Sequence, residues 1–196
     1  MKPRKFPLLL VLGLCLVLAG VLSLAGLQLR LRAGAQESQK ILEKLDAILP
    51  ERTVGVPEAF LTPAMPVLEI DGVDCVAILD VPGFGVTLPV TAQWDTWKLT
   101  RSPARFYGSI YDGSLIIGGF DDPRQFGFCG QIQHGATITL TDTTGQEFTY
   151  QVARVDRAKS AEAQWLTDPT WDLTLFCHDL HAMEYIAVRC AFAYGN

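Results

Sequence analysis

The chain has 196 residues, is 49% hydrophobic and carries a net charge of −5. Its Lys and Arg residues are scattered rather than striped among aromatics, so nucleic acid is not an expected partner. Its five cysteines (Cys15, Cys75, Cys129, Cys177 and Cys190) show no CxxC pair or zinc-ligand spacing and are too few for a disulfide scaffold, with one bridge among the last four left open.

Pro7–Leu27 is uncharged and dominated by Leu, Val, Ala and Gly. About 20 such residues match the core of a bilayer. Lys2, Arg4 and Lys5 precede the run and point to a cytoplasmic N-terminus, while Arg30 and Arg32 reduce the asymmetry. A cleaved signal peptide ending at Ala33-Gly34-Ala35 is the competing reading. The apolar run is longer than the usual ~7–15 residues, and two arginines separate it from that site. Either reading puts the rest of the chain outside the cytoplasm.

Ile41, Leu42, Leu45, Ile48 and Leu49 have helical spacing within Gln36–Leu49, and Pro50 ends the pattern. Pro50, Pro57, Pro63 and Pro66 then mark an extended linker. The expected division is 1–32 anchor, 33–66 helix and linker, and 67–196 folded domain. That last part, roughly 130–150 residues, suits one core. Short strands follow at Val73–Val81, Leu115–Ile117, Thr137–Thr141, Phe148–Val155, Leu173–Cys177 and Tyr185–Phe192. Asp142-Thr143-Thr144-Gly145 reads as a hairpin turn, and Ser160–Leu166 as a short helical turn. The class is mainly β, a barrel or sandwich. His134 reads as solvated, Cys190 as core, and Trp165 with Trp171 as the cover of one barrel end. Trp94 and Trp97 suit either a groove or barrel packing.

Several segments resemble, in order and spacing, the sortases of Gram-positive bacteria, nearest to class B-like members. They are Leu88-Pro89-Val90, the stretch Gly108–Gly119, Phe126-Gly127 with Gly135, Asp172-Leu173-Thr174-Leu175-Phe176, and Val188-Arg189-Cys190. The resemblance implies a sortase-type eight-stranded β-barrel with short helices, preceded by a transmembrane helix. It also implies a cysteine transpeptidase that cleaves a sorting signal, holds it as a thioester and passes it to an amine.

Such chemistry needs a Cys nucleophile, a His for proton transfer and an Arg for the oxyanion or substrate. By the resemblance, the His place holds Phe120, in Gly118-Gly119-Phe120-Asp121-Asp122. Ungapped matching of Leu173-Thr174-Leu175-Phe176-Cys177-His178 puts His178 at the nucleophile place. A one-residue gap restores Cys177, but strand alternation turns adjacent side chains to opposite faces. Tyr185 holds the Arg place, and Arg189 lies about 13 Å further along the strand.

The expected protein is therefore a degenerate, non-catalytic sortase acting in binding or assembly. Its partners would be surface proteins bearing sorting signals, pilins or another sortase, and no cofactor is expected. The alternative is an active transpeptidase using Cys177 with His178 or His181 as base. A metal site from Cys177, His178, Asp179 and His181 is disfavoured because its spacing matches no usual closed site.

Overall fold

A computed structural model describes residues 6–55, 64–96 and 98–193. Its first element, α1 (Phe6–Ile48), is one unbroken 43-residue helix that joins the apolar run to the amphipathic segment. The junction holds Leu, Arg and Ala, good helix formers, and no Pro. The helix is long and apolar enough to cross a membrane, and its apolar stretch is not buried against the rest of the protein.

The second half of α1 is docked. Gly34 faces the backbone of Thr100 so closely that a Cβ there would sit 2.8 Å from the carbonyl oxygen. One turn on, the buried hydroxyls of Ser38 and Ser102 bond at 3.0 Å. Ile41 and Leu45 then pack on Ile70, Cys75 and Ile78. Burial, with the nearby Asp74 charge, pushes the Cys75 thiol up to about 11.

Ten strands follow. They are β1 (Thr53–Val54), β2 (Leu68–Ile70), β3 (Val73–Val81), β4 (Val86–Thr91), β5 (Ala104–Tyr107), β6 (Leu115–Gly118), β7 (Thr137–Asp142), β8 (Gln146–Ala158), β9 (Leu173–Asp179) and β10 (Glu184–Phe192). A single helical turn, α2 (Ala163–Leu166), lies between β8 and β9. The pairing order β8-β10-β9-β6-β5-β4-β3 is closed by β7, which pairs with both β3 and β8. The result is an eight-stranded barrel. β4–β5 and β6–β9 are its parallel pairs. β2 pairs with β3, and β1 with β8, outside the ring.

Turn chemistry sets the registers. Asp71 and Gly72, both at positive φ, join β2 to β3 as a two-residue hairpin loop. At the β7–β8 turn the buried Asp142 carboxylate accepts from the Thr144 and Gln146 amides and the Thr144 hydroxyl. It also accepts the Tyr111 hydroxyl at 2.7 Å, and burial with this bond pushes the Tyr111 phenol up. Alternate residues of the ring fill one interior that includes Leu79, Ile117, Ile138, Phe148, Tyr150, Leu175 and Val188.

β1 lies in the stretch read as linker; Pro57 and Pro63 of that stretch, and Trp97, fall outside the described residues. All five cysteines are free thiols. Leu45→Ala should lower the unfolding free energy of the detergent-solubilised chain by about 2–5 kcal/mol, read from the denaturant midpoint. Ile48→Ala, on the exposed side of the same helix, should stay within about 0.5 kcal/mol.

Candidate functional site

β6, β9 and β10 lie side by side. Gly118 of β6 pairs with Phe176 of β9, and His178 of β9 pairs with Tyr185 of β10. The Gly119 amide donates to the Phe176 carbonyl at 2.9 Å and carries the ladder one residue past β6. Phe120 comes next, where the ladder ends and the chain turns through bonds to Asp122, Gln125 and Phe126. Strand alternation sends Leu173, Leu175, Cys177, Ile186, Val188 and Cys190 into the barrel core. It leaves Ile116, Phe176, Ala187 and Tyr185 on the outer face. His178 and Tyr185 thus lie side by side at one end of that face, and Phe120, two residues past the end of β6, extends the row by strand position.

Each member of the row is fixed. The His178 and Tyr185 rings lie 4.5 Å apart at 32°. The Phe120 amide donates to Oε1 of the buried Gln125, whose Nε2 donates to the Leu99 carbonyl at 2.8 Å. The Phe120 carbonyl accepts from the Asp122 and Phe126 amides at 2.9 and 3.0 Å. In the loop that follows, Asp122 chelates Arg124 at 2.8 and 2.9 Å, and these bonds hold its carboxyl below the usual range.

The floor behind the row is aromatic. Trp94 stacks on Phe176 at 5.5 Å, and Phe106 meets both edge-on at 5.0 and 5.3 Å. Gly118 makes room for this plate, because a Cβ there would lie 2.2 Å from the Trp94 ring. Trp94 therefore packs on the outside of the barrel. Trp165, expected at a barrel end, lies on this face as well. Its position follows from Arg189, a residue whose role sequence reading missed.

Arg189 is 1% exposed, on the outer side of β10 beneath α2. Its guanidinium donates to the carbonyls of Trp165 and Leu166, to Thr174 Oγ1 and to Asp156, and stacks 5.0 Å from the Trp165 ring. It ties the β8–β9 connection to the sheet. Its setting, between Val188 and Cys190 in an apolar strand, was the available signal of burial.

Cys177 lies on the other side of β9, 1% exposed. Its Sγ approaches the Phe126 carbonyl at 3.8 Å, and the same oxygen accepts the Cys129 amide at 3.0 Å. Burial, with Cys177 as a hydrogen-bonding neighbour, pushes the Cys129 thiol well up; burial also raises Cys190. Both shifts favour the protonated, unreactive form of Cys129 and Cys190. His178 faces away from them. His181 is exposed in the turn after β9, where its amide and that of Ala182 donate to Asp179. Those bonds, led by that of Ala182, lower the Asp179 carboxyl. Among the described residues no group of three His, Cys, Asp or Glu is placed to hold a metal ion.

No protein-family model and no curated protein matches the chain. Solved structures do. The chain is similar to sortase A from Corynebacterium diphtheriae at 17% identity, over 86% of this chain and 85% of that one, with a TM-score of 0.55. It is similar to a Clostridium perfringens sortase D5 transpeptidase at 15% identity, over 81% and 97%, with a TM-score of 0.56. For sortase C-1 from Actinomyces oris the values are 20%, 83%, 99% and 0.55. The closed eight-stranded barrel behind an apolar N-terminal helix is a sortase fold.

Arg189→Met should destabilise the fold by about 3–5 kcal/mol, because it strips a buried ion pair and two carbonyls of their partner. Limited proteolysis should then cut first between β8 and β9, the segment that Arg189 holds down.

Proposed function

We propose that this sortase-fold chain is a membrane-anchored, extracytoplasmic protein that binds rather than cleaves, a degenerate sortase acting in the recognition or assembly of cell-surface proteins. One observation carries the reading: the Cys177 thiol is sealed in the barrel core, while Phe120, His178 and Tyr185 occupy the outer row.

Transpeptidation needs a thiolate that attacks a carbonyl, a group that protonates the leaving amine, and a donor for the oxyanion. Phe120 transfers no proton. Tyr185 offers a neutral donor without a cation's charge. His178 is stacked on Tyr185 and separated from the thiol by the strand itself. Such groups act as a unit, so loss of any one removes most of the rate.

What the face retains suits binding. Half-buried Trp94 and Phe106, packed on the buried Phe176, give an apolar floor, and the His178–Tyr185 pair gives polar edges. An extended peptide with apolar side chains, such as a sorting signal or a pilin segment, has the matching chemistry. The apolar helix α1 supplies the anchor, as the sequence's charge pattern suggests.

The test incubates the full chain, in detergent, with sorting-signal peptides and an amine acceptor, and reads intact mass and products. The expected outcome is no thioester and no transferred peptide, with labelled-peptide binding that falls about tenfold or more in Trp94→Ala, at unchanged thermal unfolding, and is unchanged in Cys177→Ala. A covalent adduct that disappears in Cys177→Ala would overturn the reading and make Cys177 a nucleophile.

A further inference from the structure

A second cleft lies away from the β6–β9–β10 face. It is formed where α1 meets the barrel, has a volume of about 730 Å³, and is lined by four cations, Arg32, Lys40, Arg101 and Arg124, against two carboxylates, Glu43 and Asp122. Asp122 is committed to Arg124, which it holds in a two-point bond. Arg101 has a looser pair with Glu37 at 3.4 Å. Among the described residues no carboxylate lies within ion-pair distance of Arg32 or Lys40. The cleft therefore holds an excess of positive charge, with one guanidinium already oriented by its neighbour.

Position gives that charge its meaning. The apolar run of α1 ends at Leu29, and Arg32 comes three residues later, about 4.5 Å along the axis. The polar layer of one leaflet is roughly 5–7 Å deep. Gly34 and Ser38 pin the helix to the 98–102 loop at this height, so the barrel wall stands at the bilayer surface. The cleft opens at headgroup level at Arg32 and extends about 12 Å up the helix to Lys40.

We propose that this cleft is a binding site for the phosphate-bearing headgroup of an anionic phospholipid from the leaflet that α1 leaves. Arg32 meets the phosphate at the surface, and Arg101, Arg124 and Lys40 hold the part of the headgroup that projects into the cleft. The site orients the barrel on the membrane and selects which lipid surrounds it. The inference rests on α1 being a membrane span, as proposed above.

The full chain would be placed in nanodiscs of zwitterionic and anionic phospholipids with matched acyl chains, and retained lipid counted by native mass spectrometry. Preferential retention of one anionic lipid is expected, reduced about tenfold in Lys40→Gln/Arg101→Gln. Arg30→Gln, on the exposed helix outside the cleft, should retain it. Thermal unfolding of each variant checks that the helix is still docked. Equal retention of both lipid types, or equal loss in Arg30→Gln, would overturn the site and leave ordinary interfacial attraction. A thermal shift with inorganic phosphate alone, matching that with lipid, would assign the cleft to free phosphate and overturn the lipid. A chain that fails to enter nanodiscs at all would instead refute the membrane reading on which the site depends.

Discussion

Closure of the sheet by β7 is the constraint from which the rest follows. Once β7 pairs with β3 on one side and β8 on the other, every strand of the ring has a single inside and a single outside. β9 has the least freedom, because it is held by β6 on one flank and β10 on the other. Turning Cys177 outward by a one-residue slip would also expel Leu173 and Leu175 and turn Thr174 and His178 into the apolar interior. Each buried leucine contributes about 1.5–3 kcal/mol, so the slip costs several kcal/mol before any hydrogen bond is counted. The place of one thiol is thus set by the packing of a whole strand.

Long apolar or alternating runs were the legible part of this fold. Val73–Val81, Thr137–Thr141 and Tyr185–Phe192 appear as strands within a residue of their expected ends, because each is a run of five or more residues, near-continuously apolar in the first and alternating in the second. β5 gave no such signal. It has four residues, follows Pro103, and has a single registered pair with β4; its Phe106 is secured by Trp94 and Phe176, which are distant in sequence. β1, at two residues, is held by β8 alone. Trp165 was misplaced for the same reason, since its partner is a guanidinium two elements away. Phe120, His178 and Tyr185 were singled out by family resemblance; only the pairing of β6, β9 and β10 brings them into one row. The cleft beside α1 had no signature at all, because its cations come from a helix and two loops.

Arg189 illustrates how the outer face is organised. A buried charge is costly unless its hydrogen bonds are filled, and here Asp156, Thr174 and two carbonyls fill them. The arginine consequently fixes α2 and Trp165 against a second, smaller core of Ile116, Leu166, Phe176 and Ala187, at whose edge Trp94 and Phe106 stay half-buried. Polar capacity that could have served a reacting carbonyl is spent on holding a loop.

The unbroken helix has a mechanical consequence. A barrel joined to its N-terminal helix by a flexible tether can turn against it; one clamped to a continuous rod cannot. Adding a single residue to α1 between Leu29 and its first docking contact at Leu31 would raise the barrel about 1.5 Å and swing it through about 100°. The direction in which the outer row faces about the axis of α1 is therefore written into the helix's residue count.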